Sequence, residues 1–178
     1  MIHDRCRAAL EDAGCPQTLL EGTETLETYA PSLSYYEASR LAQCLGIQIA
    51  ALHSANVTPS TLHPSSIVRL DRHWYGILAE VDLHRLRDAD TAVVDSVPRR
   101  DDPFQAPEVT AAKSLPLCVP PTSCYYSAAA VICQALLPRR ERGKDRITLP
   151  EHISGTPLQF FLERCMVKDP AHRYYMLI

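Results

Sequence analysis

Four histidines, at 53, 63, 73 and 84, cluster in one stretch of this 178-residue chain and are the first side chains to weigh for metal binding or acid–base work. Their spacings match no zinc-ligand pattern, and no neighbouring Cys or Ser lies in a nucleophile-elbow sequence. His63 therefore reads as an exposed loop histidine rather than a base, and Trp74 and Tyr75 read as a surface lid on the core. The seven cysteines, at 6, 15, 44, 118, 124, 133 and 165, form no C-x-x-C pair and are odd in number, which argues against a disulfide framework or a zinc site. Cys44, Cys133 and Cys165 fall in helical apolar patterns and read as reduced core residues.

The elements that must position these residues are legible in part. Ser32 or Ser34 is placed to cap a long helix to about His53, with Tyr36, Ala38, Leu41, Cys44, Leu45 and Ile49 at helical spacing. After Asn56 comes a proline-punctuated loop, then two short apolar runs, Ile67 to Leu70 and Ile77 to Ala79, turned by Asp71 to Gly76. Residues 4 to 13 form a short helix with Cys6, Ala9 and Leu10 on one side. Thr23 to Pro31 is polar and turn-like, Arg85 to Pro103 reads as a charged surface loop, and Pro116 to Pro121 as a stiff extended linker. Ser123 is placed to cap an apolar helix, CYYSAAAVICQALL, which must be central because it is apolar nearly all round. Arg139 to Arg146 reads as a solvated loop, and Pro157 to Val167 as an amphipathic helix. The expected fold is mainly α, with about six helices around Tyr125 to Leu137 and a small β-hairpin at Ile67 to Ala79.

Length and charge narrow the function classes. The chain fits one domain with a sizeable core. A net charge of −3 with mixed signs leaves no nucleic-acid or membrane footprint, and no apolar run approaches the roughly 20 residues of a membrane span. Partners are expected to be proteins. The start, MIHDRCRAALEDAG, lacks the apolar core of a signal peptide, so the sequence leaves localisation open.

The order of helix, loop and hairpin resembles the catalytic segment of a protein kinase, where H-R-D-L-x-x-x-N lies between such a helix and hairpin and D-F-G follows. On that pattern Pro59, Ser60 and Thr61 stand at H-R-D, Leu62 and Pro64 match, Ser66 replaces the Asn, and Glu80-Val81-Asp82 replaces D-F-G. Ala106-Pro107-Glu108 matches the A-P-E that closes the activation segment, about 26 positions later, within that segment's usual range. In the helix that carries D-x-W-S-x-G in the family, Cys124, Tyr126, Ser127 and Ala129 take those places and only the Ser is kept. Lys168-Asp169-Pro170-Ala171-His172-Arg173 resembles the late D-P-x-x-R signature. The resemblance runs from about Leu33 to the end, and it implies a kinase-like C-terminal lobe at 33–178 behind an N-terminal segment at 1–32. No G-x-G-x-x-G loop or V-A-I-K-like lysine is present, so the N-terminal lobe is absent from this chain.

The resemblance also implies what has been lost. Phosphoryl transfer needs an Asp to orient the hydroxyl and an Asn and a second Asp to hold magnesium. Thr61 at the catalytic Asp position carries no carboxylate, Ser66 at the Asn position is a weak ligand, and Glu80 and Asp82 are weak metal candidates. The implied function is a catalytically inactive pseudokinase lobe without cofactor, working through protein–protein binding. The alternative is a divergent ATP- and magnesium-dependent protein kinase whose N-terminal lobe is encoded upstream. The T-P-S-T-L-H-P-S-S run, the weakened D-F-G and the P-R-R-D-D-P-F-Q-A-P-E approach are similar to secreted rhoptry pseudokinases of apicomplexan parasites, which implies a secreted parasite organelle for an N-terminally truncated chain. Ser60, where the Arg of H-R-D would be, cannot make a charge-assisted bidentate bond to a phosphate, so Arg99 to Asp102 reads as a solvated loop rather than a phosphorylation switch.

Glu108 and Arg173 are expected to form a buried structural ion pair, as the family's A-P-E and D-P-x-x-R do. Leu62, Ile77, Val81 and Leu83, on the face toward the missing lobe, are expected to leave apolar area that must be covered by residues 4 to 13, by self-association or by a partner protein.

Overall fold

A capping box starts the longest helix. Ser34 Oγ accepts from the Glu37 N–H at 3.2 Å while Glu37 Oε2 accepts from the Ser34 N–H at 3.1 Å, so two donors at the helix end are satisfied reciprocally. In the computed structural model, which describes residues 1–95, 101–142 and 146–176, this helix, α2, spans Tyr35–Ser54, after a short α1 at Asp4–Asp12. Its buried face is Ala38, Leu41, Ala42, Cys44, Leu45, Gln48, Ile49 and Leu52, a stripe at three- and four-residue spacing. Asn56, with φ at +58°, turns the chain out of the helix; Asn tolerates this left-handed geometry better than most residues.

The remaining elements are β1 (Val57–Pro59), β2 (Ile67–Arg69), β3 (Tyr75–Ile77), β4 (Leu83–Asp88), β5 (Thr91–Val94), α3 (Pro107–Thr110), β6 (Leu117–Val119), α4 (Ser123–Leu136) and α5 (Pro157–Cys165). Strands β2 and β3 form an antiparallel hairpin with Ile67 opposite Ile77. Strands β1, β4, β5 and β6 form a second, antiparallel sheet in the order β1-β4-β5-β6. Helix α4 is central as expected: its residues are buried except Tyr125 and Tyr126, which are half-buried.

The mainly α expectation is overturned. Helix takes 42% and strand 15% of the chain, which makes this an α/β protein with a four-stranded sheet beside the hairpin. Strands β4 and β5 occupy much of the stretch read as a charged loop, and β6 lies inside the stretch read as a linker. The inward residues His84, Ala92 and Val94 alternate with Arg85 and Val93, but the strands are too short for that period to stand out, and the exposed side of β4 is charged. Ala92, Val94 and Val119 pack with Ala106 and Val109 as a second, smaller core. Arg99 and Arg100 lie outside the described residues, as do residues 143–145 of the basic stretch.

Two of the single-residue readings also change. Tyr75 is fully buried in β3 rather than a lid, while Trp74 is half-buried beneath the Arg40 guanidinium, 5.2 Å from the ring centre. Ser123 is the first residue of α4 rather than its cap. Gln48 of α2 is fully buried and supplies the outer edge of β3: its amide donates to Tyr75 O at 2.9 Å and accepts from Ile77 N at 2.8 Å.

The N-terminal segment completes the same edge. His3 N donates to Ile77 O and Ala79 N to Met1 O, each at 2.9 Å, and Ile2 packs over Gly76, where a Cβ would lie 2.9 Å from its side chain. Cys6 and Leu10 of α1 join the main core with Leu41, Leu45 and Ile77. The face expected to be open is therefore closed within the chain: Leu62, Ile77 and Val81 are buried and Leu83 is half-buried. At the other end Tyr175 lies across α2, its hydroxyl donating to Ala42 O at 2.8 Å and its ring filling the space beside Gly46.

Two outcomes follow from this edge. Deleting residues 1–12 uncovers the β3 edge and the α2 face together, and the truncated chain is expected to bind an apolar dye and to elute as oligomers by light scattering. A chain that stays monomeric without dye binding would show that α1 is dispensable. Gln48→Leu leaves Tyr75 O and Ile77 N buried without partners, each at a cost of about 1 to 3 kcal/mol. The urea midpoint should fall accordingly.

Candidate functional site

The loop from Ser60 to Ser66 lies between β1 and β2 and is held from both sides. Ser127 of α4 bonds the Leu62 peptide twice, accepting from its N–H and donating to its carbonyl at 3.0 Å. Ser60 N donates to Asp82 O at 3.3 Å, which ties the loop to the turn ahead of β4. Within the loop, Ser66 Oγ accepts from His63 N at 2.9 Å and donates to His63 O at 2.8 Å.

Those bonds bring Thr61, Ser66, Glu80 and Asp82 to one cleft of about 580 Å³, with His63, Asp102 and Gln105 on its walls. His63 is not an exposed loop residue. Its Nε2 meets Asp102 Oδ2 at 3.0 Å, and its ring stands edge-on to Phe104. Asp102 in turn is not a surface charge: its side chain is only 5% exposed, and its Oδ1 accepts from Phe104 N at 3.0 Å. No sequence signal links Asp102 to His63; tertiary contact alone pairs them.

The chemistry available to this cleft is limited. Thr61 is 8% exposed and its hydroxyl has no partner, while the Ser66 hydroxyl is engaged within its own turn. Glu80, with 73% of its side chain exposed, lies 3.9 Å from the Met1 amino group, and Asp82, 59% exposed, faces His84 Nε2 at 3.4 Å. The Met1–Glu80 pair is exposed on both sides, and pairs of that kind contribute about 0 to 1 kcal/mol. Among the described residues no group of three His, Cys, Asp or Glu side chains is placed to hold a metal ion. Among the described residues the donors of this cleft therefore do not fit magnesium.

The remaining histidines do not supply a nucleophile. His53 Nε2 contacts Thr58 Oγ1 at 3.0 Å and Cys124 Sγ at 3.8 Å, a pairing that superficially suggests an activated thiol. Burial lowers the His53 pKa and raises that of Cys124 to about 12, so the imidazole stays neutral and the thiol stays protonated. His73 shares a hydrogen bond with the Tyr36 hydroxyl at 3.0 Å on the outer side of α2.

Ala106 is buried at the start of α3, Pro107 occupies its first turn, and Glu108 projects from it to Arg173. The pair is bidentate: Nη1 donates to Oε1 at 2.6 Å and Nη2 to Oε2 at 2.9 Å. Arg173 also donates to the carbonyls of Val167 and Lys168, and Ser123 Oγ donates to Glu108 Oε1 at 2.6 Å. Burial pushes the Glu108 carboxyl up, but the bonds from Arg173 and Ser123 outweigh it and hold the pKa below the usual range.

Arg142, within the stretch read as solvated, instead donates to the carbonyls of Leu137, Tyr29, Pro31 and Ala135, binding the end of α4 to the segment before α2. A lone arginine in a basic run carries no sign of that role. No helix among the described residues is long and apolar enough to cross a membrane. No model of a known protein family matches this chain, and no curated protein matches it.

Breaking the Glu108–Arg173 pair from either side leaves a buried charge. Glu108→Gln and Arg173→Met should each cost about 3 to 5 kcal/mol, read as a drop in the urea midpoint. The folded carboxyl pKa lies below the unfolded one, so the stabilisation is complete above about pH 4.3 and is lost as pH falls through the folded value. Glu108→Gln should accordingly flatten the acid limb of the stability profile.

Proposed function

We propose that this chain is a kinase-related lobe without phosphotransfer activity, and that it works by binding another protein. The observation that carries this reading is the composition of the cleft. At the positions matching the catalytic Asp and Asn stand an unpartnered Thr61 hydroxyl and a Ser66 hydroxyl engaged with His63, and the donors present form no magnesium site. Phosphoryl transfer is achieved almost entirely by positioning and charge stabilisation, so hydroxyls at both positions remove groups on which the reaction depends. Support for the kinase relationship comes from the order of motifs together with the pair between Glu108 and Arg173, 65 residues apart. The same reading assigns the cleft, not the apolar face covered by residues 1–12, as the surface that meets a partner.

The reading is tested with the purified chain, labelled ATP, magnesium and generic protein substrates. No turnover is expected, and no thermal shift on adding ATP and magnesium, whereas a ligand at 100 times its dissociation constant would stabilise by about 2.7 kcal/mol. Turnover that is abolished in a Glu80→Ala, Asp82→Ala double variant would overturn the reading.

A further inference from the structure

We infer that the cleft at Thr61 receives an arginine or lysine side chain from an extended segment of the partner protein. The inference rests on the protein-binding reading and adds the chemistry of what is bound.

Charge is the first ground. Three exposed carboxylates line the cleft, those of Glu27, Glu80 and Asp82, and among the described residues lining it the one imidazole is that of His63, already held by Asp102. The Glu27 carboxylate has no hydrogen-bond or ion-pair partner among the described residues, Glu80 lies 3.9 Å from the exposed Met1 amino group, and Asp82, itself exposed, lies 3.4 Å from the buried His84 Nε2. A phosphate or a carboxylate would be repelled there, and a cation attracted.

The orphaned polar atoms are the second, independent ground. Thr61 is more than nine-tenths buried on the cleft wall, and neither its Oγ1 nor the buried Oε1 of Gln105 has a hydrogen-bond partner. Buried polar atoms in native folds are nearly always satisfied, so two orphans on one cleft mark the place where a ligand completes the bonding. Both atoms can accept. A guanidinium offers five N–H donors and an ammonium three, with no acceptor of their own, which matches orphaned acceptors set among carboxylates.

Shape separates a peptide side chain from a free small cation. At Glu27, His63 and Ser65 the cleft runs into a hollow of about 310 Å³ walled by Leu26, Phe104 and Ala135. At Asp102 and Gln105 it meets another of about 530 Å³ beside Pro107, Thr110 and Tyr126. A chain entering along this groove has space on both sides of the residue it places at the centre. Arg139 and Arg142 line the first hollow and Arg146 the second, so positive charge lies at both ends of the groove and the cation is confined to the middle.

The test uses the full chain and heptapeptide arrays, randomised except for a central arginine, lysine, citrulline or glutamate, read by fluorescence anisotropy. Arginine- and lysine-centred pools should bind at least about tenfold more tightly than the citrulline pool, which keeps the shape and loses the charge. A Glu27→Gln, Asp82→Asn double variant, altered only at exposed side chains, should lose about the same factor with its thermal midpoint unchanged, and Thr61→Val should also weaken binding. Equal binding of citrulline and arginine pools, an unaffected double variant, or no binding by any pool would overturn the inference. So would methylguanidine competing as well as the best peptide, which would assign the cleft to a free small cation. Glutamate- or citrulline-centred peptides that bind best would leave the protein-binding reading standing and remove only the cation; ATP turnover would instead remove the reading itself.

Discussion

The buried amide of Gln48 is the constraint on which the site face depends. It presents both an acceptor and donors to the open edge of β3, acting there as one residue of a neighbouring strand would. That contact sets the height and rotation of the hairpin on α2, and the hairpin's ends define where the Ser60–Ser66 loop leaves and where the Glu80–Asp82 turn begins. Backbone from residues 1–3 extends the same edge, so the N-terminal segment is part of the hairpin's hydrogen bonding and not an appendage. An edge strand left open in this way would otherwise be a template for pairing with another chain.

Two further ties, both made by α4 or at its start, hold the opposite wall of the cleft. Ser127 grips the Leu62 peptide from the middle of α4, and Ser123 joins the Glu108–Arg173 pair at its start. The segment from Asp102 to Glu108 is thus pinned at one end by Arg173 and at the other by His63. Ties at both ends of a cleft wall that carries orphaned acceptors limit how far that wall must reorganise when a ligand arrives.

Much of what positions the site was legible as local pattern. The stripe on α2, the apolar α4 and the hairpin runs were each readable, because periodicity is a property of neighbouring residues, whereas the pairing of Glu108 with Arg173, 65 residues apart, was expected only from the family resemblance. The four-stranded sheet was not. Its strands are three to six residues long and come from segments as far apart as Val57 and Val119, so no window of sequence contains the pattern that pairing creates. That omission made the expected fold mainly α when it is α/β.

The sequence by itself determined what two positions can offer: Thr61 and Ser66 carry hydroxyls and no charge in any fold. Only the tertiary structure decided what surrounds them. Whether an apolar face was open, whether His63 was exposed, and which acceptors lacked partners all depend on which distant residues arrive. Ile2 arrives over Gly76, Asp102 beside His63, and nothing arrives at Thr61 Oγ1. Residue identity fixes what a side chain can donate, accept or ionise; burial and hydrogen-bond satisfaction are properties of the whole packed chain, and they are what define the cleft.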